Sequence, residues 1–452
     1  AGAPLVVLRA SGTATAEALR AMHDWAPLPA FARQASGSAA YEATLGLRAG
    51  SAPEVVVTSE LRGLALDLPA PLAKSAEAAW PLRFESRPDG PRERLRLTVA
   101  DQLALDYELD TSAHPARVLR GAVGVGPQAT AGLALPASGV LGRLQLPLLD
   151  VDAWDGAAGR LLGGEEAPGS ADPADRAYLP STWSLRVDEL RVDDRVLHDV
   201  TSNGTREGAT WRTDVQAREL AGRVEYSEGA NGRAGRVHAR LARLSIPAST
   251  ADEQAALLTD PPARIPALDI VVDDFELRGK PLGRLELEAV NREGSAQEWQ
   301  LSRLLLRTPE ASFTASGLWA APPRGPAERG GRAATGPPQG GSTPSGGSAA
   351  REAAERGGPL HGRRTQLDFK LDIRDGGALL TRLDMPGVLA RGKGELAGSI
   401  GWAGAPFSPH YPSMNGQLHL DVGAGQFLKA DPGVAKLLGV LSLQALPRRL
   451  TL

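Results

Sequence analysis

WSLRVDELRVDDRVLHDVTSNGTREGATWRTDVQARELAGRVEY (183–226) and PALDIVVDDFELRGKPLGRLELEAVNREGSAQEWQLSRLLLRTPEASFTASGLW (266–319) read as two copies of one strand-rich block. Each opens on an alternating strand and an acidic pair (Asp188-Glu189, Asp273-Asp274). A second apolar pair and a short turn follow, then another strand, a polar turn, a Trp (Trp211, Trp299) and a closing strand. A repeated sheet unit predicts an elongated, stacked architecture rather than a compact catalytic domain.

Outside the copies the same period recurs. Leu95, Leu97, Val99, Leu103, Leu105, Tyr107 and Leu109 share one parity, with Arg, Thr, Gln, Asp and Glu between them. Period two with one polar face describes an antiparallel sheet wet on one side. It returns at Leu144–Leu148, Val237–Leu241, Leu285 and Leu287, and Leu367–Ile373. In both copies the parity slips at the acidic pair, between Val187 and Leu190 and between Val272 and Phe275. A slip inside an extended run predicts a bulge or sharp bend that curls the sheet. The expected fold is therefore all-β: an elongated, curled antiparallel sheet forming a hydrophobic groove, with a few short helices. The same alternation also fits an ordinary sandwich whose apolar face is core.

The expected organisation is a short helical segment over 1–40, a repetitive β-groove over 41–321, a Pro/Gly-rich insertion over 322–362 and a closing β segment over 363–452. Thr13 or Thr15 can cap a helix within 13–34, with Leu19, Met22 and Trp25 on its apolar face. The insertion is nearly free of large apolar residues and cannot bury enough surface to order itself; 163–176 is a smaller loop of that kind. Asp431-Pro432 starts an amphipathic helix over 432–446, with Val434, Leu437, Leu438, Leu441 and Ala445 on one face.

Composition removes several function classes. Hydrophobic residues are 42% but aromatics only 4%, and the formal net charge is -3. Nucleic-acid binding, which needs a basic face, is not expected. Without Cys there is no disulfide, thiol metal site or Cys nucleophile. None of the seven His stands at metal-ligand spacing. Asp150–Gly156 has Trp154 in the third ligand place of a calcium loop and reads instead as a strand end carrying an anchoring Trp. Gly121–Gly126 (GAVGVG) lacks the strand–turn–helix setting of a phosphate loop and reads as a turn. No cofactor, metal or catalytic residue is expected.

The C-terminal stretch, above all GQFLKADPGVAKLLGVLSLQALPRRL (425–450), closely resembles the C-terminal region of YhdP-type proteins in the AsmA-like family. SELRGLALDLPAPLAKSAEAAWPL (59–82) and LQLPLLDVDAW (144–154) are similar to it as well. The resemblance implies a bridge-like lipid transfer protein, anchored in the inner membrane by an N-terminal helix absent from this fragment. Such a protein spans the periplasm and carries phospholipids toward the outer membrane, which it contacts. Its partners are then acyl chains rather than a compact substrate. The lining expected from parity is Leu97, Val99, Leu103, Leu105, Tyr107, Val187, Leu190, Val192, Val272, Phe275, Leu277, Leu285, Leu287, Phe369 and Leu371. Two other readings stand beside it: a periplasmic scaffold that assists outer-membrane protein assembly by strand addition, and a glycan-acting enzyme, for which no paired carboxylates in an aromatic cleft are visible.

Overall fold

The computed structural model describes residues 6–21, 32–48, 50–113, 116–162, 177–192, 195–229, 234–247, 266–292, 298–320, 363–406, 410–423 and 425–427. The expected helix at 432–446 and the insertion at 322–362 lie outside these residues, as does the 163–176 loop. Strands make up 65% of the described residues, and their pairings are mixed. It divides into two compact units, Ala1–Glu228 and Gly229–Leu452.

The strands of the first unit are β1 (Val6–Thr15), β2 (Ala35–Leu47), β3 (Glu54–Ser59), β4 (Leu64–Leu66), β5 (Leu82–Asp89), β6 (Arg92–Val99), β7 (Leu103–Asp110), β8 (Arg117–Val125), β9 (Gly139–Asp150), β10 (Thr182–Val192), β11 (Arg195–Glu207), β12 (Thr210–Gln216) and β13 (Leu220–Ser227). They pair in chain order, β1 to β2 to β3, on to β5 and then without a gap to β13, while β4 pairs beside β2. Three short helices are inserted: α1 (Ala16–Arg20), α2 (Pro127–Thr130) and α3 (Val151–Leu162). Thr15 does cap α1, its hydroxyl accepting from the Ala18 amide at 3.1 Å. Val6–Thr15 is a strand that periodicity did not reveal, because Ala10, Ser11 and Gly12 dilute its alternation.

The second unit holds β14 (Arg236–Ile246), β15 (Ala267–Leu277), β16 (Lys280–Arg292), β17 (Glu298–Arg307), β18 (Ala311–Ala320), β19 (Arg364–Ile373), β20 (Leu389–Arg391), β21 (Gly394–Ala403), β22 (Asn415–Val422) and β23 (Gly425–Phe427), with helix α4 (Gly376–Arg382). The ladder runs β14 to β19, then β21 and β22, and β20 pairs with β23 separately.

Most pairings are antiparallel, as the alternation predicts. Among the described residues three are parallel: β8–β9, β9–β10 and β14–β15. Parallel neighbours cannot be joined by a hairpin and need a long crossover; residues 126–138, with α2, supply the first and the stretch holding α3 begins the second. The repeat then has a clear structural meaning. Copy one is the meander β10–β13 and copy two the meander β15–β18. Each is entered through a parallel pairing, and Trp211 and Trp299 sit at matching places on β12 and β17.

The acidic pairs also separate. In copy two the register shifts between Val272 and Phe275, so Asp273 and Asp274 oppose the single residue Arg284. This is the predicted bulge. Arg284 ion-pairs with Asp273 there, and Gly283, facing Phe275, takes φ +71, a value that favours glycine. Copy one differs. The β10–β11 register is unbroken across Asp188, with Val187 opposite Val200 and Glu189 opposite His198. Leu190 and Leu197 nevertheless pack with Val200, so both strands step together at Asp188 and Asp199, the latter at φ +55.

Two local expectations are corrected. Gly121–Val125 is the end of β8, not a turn, because its backbone is consumed by β7 and β9 on either side. Val151–Leu162 is helix α3, not a strand end. The Asp150 carboxylate accepts from the Ala153 amide at 2.8 Å, an N-cap that stops the strand. Trp154 then lies on α3, with its indole donating to the Ala70 carbonyl at 3.0 Å.

Candidate functional site: an apolar face in each unit

Residues directly opposite each other across a ladder point to the same face. Following register across the first unit gives the row Ala10–Ala43–Val57–Phe84–Leu97–Leu105–Val123–Gly142–Trp183–Gly204–Thr213–Val224. Two residues along, a parallel row carries Tyr41, Leu82, Val99, Leu103, Val125, Leu144, Leu185 and Val215. At a strand spacing near 4.8 Å, a row across twelve strands is roughly 50 Å long. In the second unit, Ala239–Ile270–Leu287–Leu304–Ala315–Phe369–Gly398–Leu418 and Leu241–Val272–Leu285–Leu306–Phe313–Leu371–Leu396–Leu420 are almost wholly apolar. Phe313 and Phe369 stack there at 6.0 Å.

The opposite face is charged. Arg94 and Arg96 both grip Asp106, at 2.8 and 2.9 Å, and Arg92 and Arg120 hold Glu108. Burial pushes the Asp106 carboxyl up, but the two guanidiniums outweigh it and hold its pKa below the ordinary value. In the second unit Arg303 and Arg284 meet Glu286, and Lys370 bridges Asp372 and Glu395. One face therefore needs water and the other avoids it.

Within each unit the described strands belong to one ladder, with only β4 beside β2 and the short β20–β23 pair apart from it, so no second large sheet is present to pack on the apolar face. A sandwich core is thus absent among the described residues. Of the residues expected from parity, Leu97, Val99, Leu103, Leu105, Val272, Leu285, Leu287, Phe369 and Leu371 stand on these rows, with differing burial. Leu97, Leu105, Leu287, Phe369 and Leu371 are half-buried. Val187 and Val272 are fully buried, and Val99, Phe275 and Leu285 nearly so, which leaves little of them open to a ligand. Leu190 and Val192 lie past the slip at Asp188, and Leu277 ends beside the β15–β16 turn opposite Lys280.

Two more expected residues are overlain by identifiable segments. Leu103 packs beneath Leu68, Leu72, Ala157 and Trp154, where α3 and the 68–72 segment close over that end of β7. Tyr107 is capped by Tyr178, ring to ring at 5.5 Å, and its hydroxyl donates to the Tyr178 carbonyl at 2.9 Å. Burial, with Tyr178 beside it, raises the Tyr107 pKa to about 12, so it stays a neutral donor through the physiological range. Trp183 was not expected at the site. Its ring fills the space above Gly204, where an added Cβ would lie 2.2 Å from the ring and 2.4 Å from the Arg212 carbonyl. A Gly204→Val change is expected to cost about 1–3 kcal/mol by overpacking, read as a lower denaturation midpoint with shifted Trp emission; an unchanged midpoint would contradict this packing.

The two rims of the second unit differ. One carries Trp299, Trp319 and Trp402, linked in register through Thr365 and buried with Ala289, Leu301 and Ala405. The other is the rim of hairpin turns, where α4 is clamped. Arg382 donates to both oxygens of Glu310, at 2.7 and 2.9 Å, and holds that carboxyl's pKa at about 2. Because the folded pKa lies below the ordinary value of 4.5, this contribution is complete above about pH 4.5 and fades as pH falls toward 2. Hydrogen exchange across 376–391 should therefore stay slow down to about pH 4 and accelerate below it. In Arg382→Gln it should be fast at neutral pH. Equal protection in both proteins would remove the clamp from the account.

Among the described residues, no three His, Asp or Glu are placed to hold a metal, and no helix is long and apolar enough to cross a membrane. No curated protein and no solved structure matches the chain. The family model described as YhdP protein, however, matches residues 2–452. That range covers both apolar faces, both meander repeats and the stretches whose resemblance was noted from sequence, and the chain belongs to the YhdP protein family.

Proposed function

We propose that this chain is a non-enzymatic lipid conduit of the bacterial cell envelope, carrying phospholipids through the periplasm from the inner toward the outer membrane with their acyl chains on the apolar sheet faces. Family membership is in keeping with a lipid-transport role. The observation that carries the reading is a pair of long, ordered apolar rows with no covering sheet. A soluble protein rarely leaves so large a contiguous apolar face without a ligand or partner. An acyl chain suits it: each methylene removed from water contributes about 0.8 kcal/mol, so a chain of some fifteen gains roughly 10 kcal/mol before ordering costs. The rows contain no charged side chain to bind a compact substrate, and recognition is spread over many weak contacts, which suits movement along the row rather than capture at one point.

The delipidated protein should bind an environment-sensitive fluorescent fatty acid with a blue shift and enhanced emission, and unlabelled phospholipid should displace it. A probe that stays in its aqueous state in the presence of the folded protein would sink the conduit.

A further inference from the structure

A lipid whose acyl chains lie on the second unit's apolar face places its polar end at one of the two rims. At the turn rim of the second unit several cations are matched. Arg382 is held by Glu310, Arg284 by Asp273 and Glu286, and Lys280 by Asp384. Arg374 donates to the carbonyls of Pro309 and Ala311. The tryptophan rim has one cation of another kind. Arg363 immediately precedes β19, and its guanidinium lies 5.7 Å from the ring centroid of Trp319. Trp319 is on the apolar face, so Arg363 stands on that side, at the edge. Its Nη1 is buried with no hydrogen-bond partner among the described residues, and so is Nε1 of Trp319, the ring it covers. The residue as a whole is only half-buried, so part of it meets solvent at the rim. Burial lowers its pKa and no acidic neighbour offsets this.

Buried donors without acceptors are rare and point to an absent ion, water or ligand. A guanidinium takes phosphate oxygens in a bidentate fork, and Trp favours the boundary between apolar and polar surroundings. Resting on the trough reading, we propose that Arg363 is a phosphate-binding residue: it holds the headgroup phosphate of a phospholipid whose acyl chains lie on the second unit's apolar face.

The test uses the delipidated protein and two probes with the same fluorescent acyl chain, phosphatidylglycerol and diacylglycerol, the second lacking the phosphate. Wild type is expected to bind phosphatidylglycerol about tenfold more tightly, the size of one charge-assisted hydrogen bond. R363Q should lose that preference and keep its diacylglycerol affinity, which also certifies the fold; R363K should keep part of the preference. Equal phosphatidylglycerol affinity in wild type and R363Q, with diacylglycerol still bound, overturns the Arg363 assignment and leaves the trough standing. Failure of wild type to bind either probe overturns the trough and the assignment with it. Millimolar inorganic phosphate should leave phosphatidylglycerol binding intact. Phosphate that abolishes the preference by itself would make this a free-phosphate site and overturn the headgroup assignment.

Discussion

Replacing Leu105 or Leu287 by Asp should cut acyl-chain binding at least tenfold while leaving the sheet folded. Both side chains sit mid-row, with apolar neighbours on either side in register: Leu97 and Val123 beside Leu105, Ile270 and Leu304 beside Leu287. A carboxylate there keeps its water only if lipid stays away, and covering it with hydrocarbon costs several kcal/mol or a proton. The empty protein tolerates the change because both positions are half-buried rather than sealed. Circular dichroism and the denaturation midpoint should therefore move little while lipid affinity collapses. Loss of fold in both variants would show that these positions are core. Unchanged affinity in well-folded variants would show that lipid lies elsewhere. Val272, with no exposure at all, should behave in the opposite way and unfold when charged.

The second large effect is on stability. Trp299→Ala should cost about 3–5 kcal/mol, the range for truncating a fully packed large aromatic. Trp299 is 2% exposed, paired in register with Trp319, and surrounded by Ala289, Leu301 and Ala405. The second unit has no covering sheet to share the load, so this cluster stands in for a conventional core. Urea denaturation should show the midpoint fall with little change in slope. A loss below about 1 kcal/mol would mean that the tryptophan rim does not hold the unit together.

These two sites mark what was and was not readable from the chain. Leu105 and Leu287 were legible because period two is local: each residue's face follows from its neighbours, and register then aligns them whichever strand lies alongside. The bulge at Asp273-Asp274 was legible for the same reason, as a break in parity. The slip at Asp188 looked identical in sequence, but there the partner strand slips too, at Asp199, and no single strand carries that information. The parallel pairings were hidden because partner choice across β8, β9 and β10 depends on crossovers, not on alternation. The capping of Tyr107 by Tyr178 joins residues 71 apart, and the Glu310–Arg382 clamp joins residues 72 apart; neither leaves a periodic trace. Trp183 over Gly204 is a third case, since a glycine mid-strand marks a close approach without saying by what.

The conduit rests on an apolar face in each unit that is open to acyl chains, and photo-crosslinking tests this most directly. A photoreactive amino acid at Leu105, and separately at Leu304, would be activated in protein purified from cells, and adducts identified by native mass spectrometry. The account predicts phospholipid adducts at both positions, and none from a probe at Arg96 on the charged face. Lipid-free protein, with adducts only to other polypeptides, would contradict the conduit and favour a scaffold that works by strand addition.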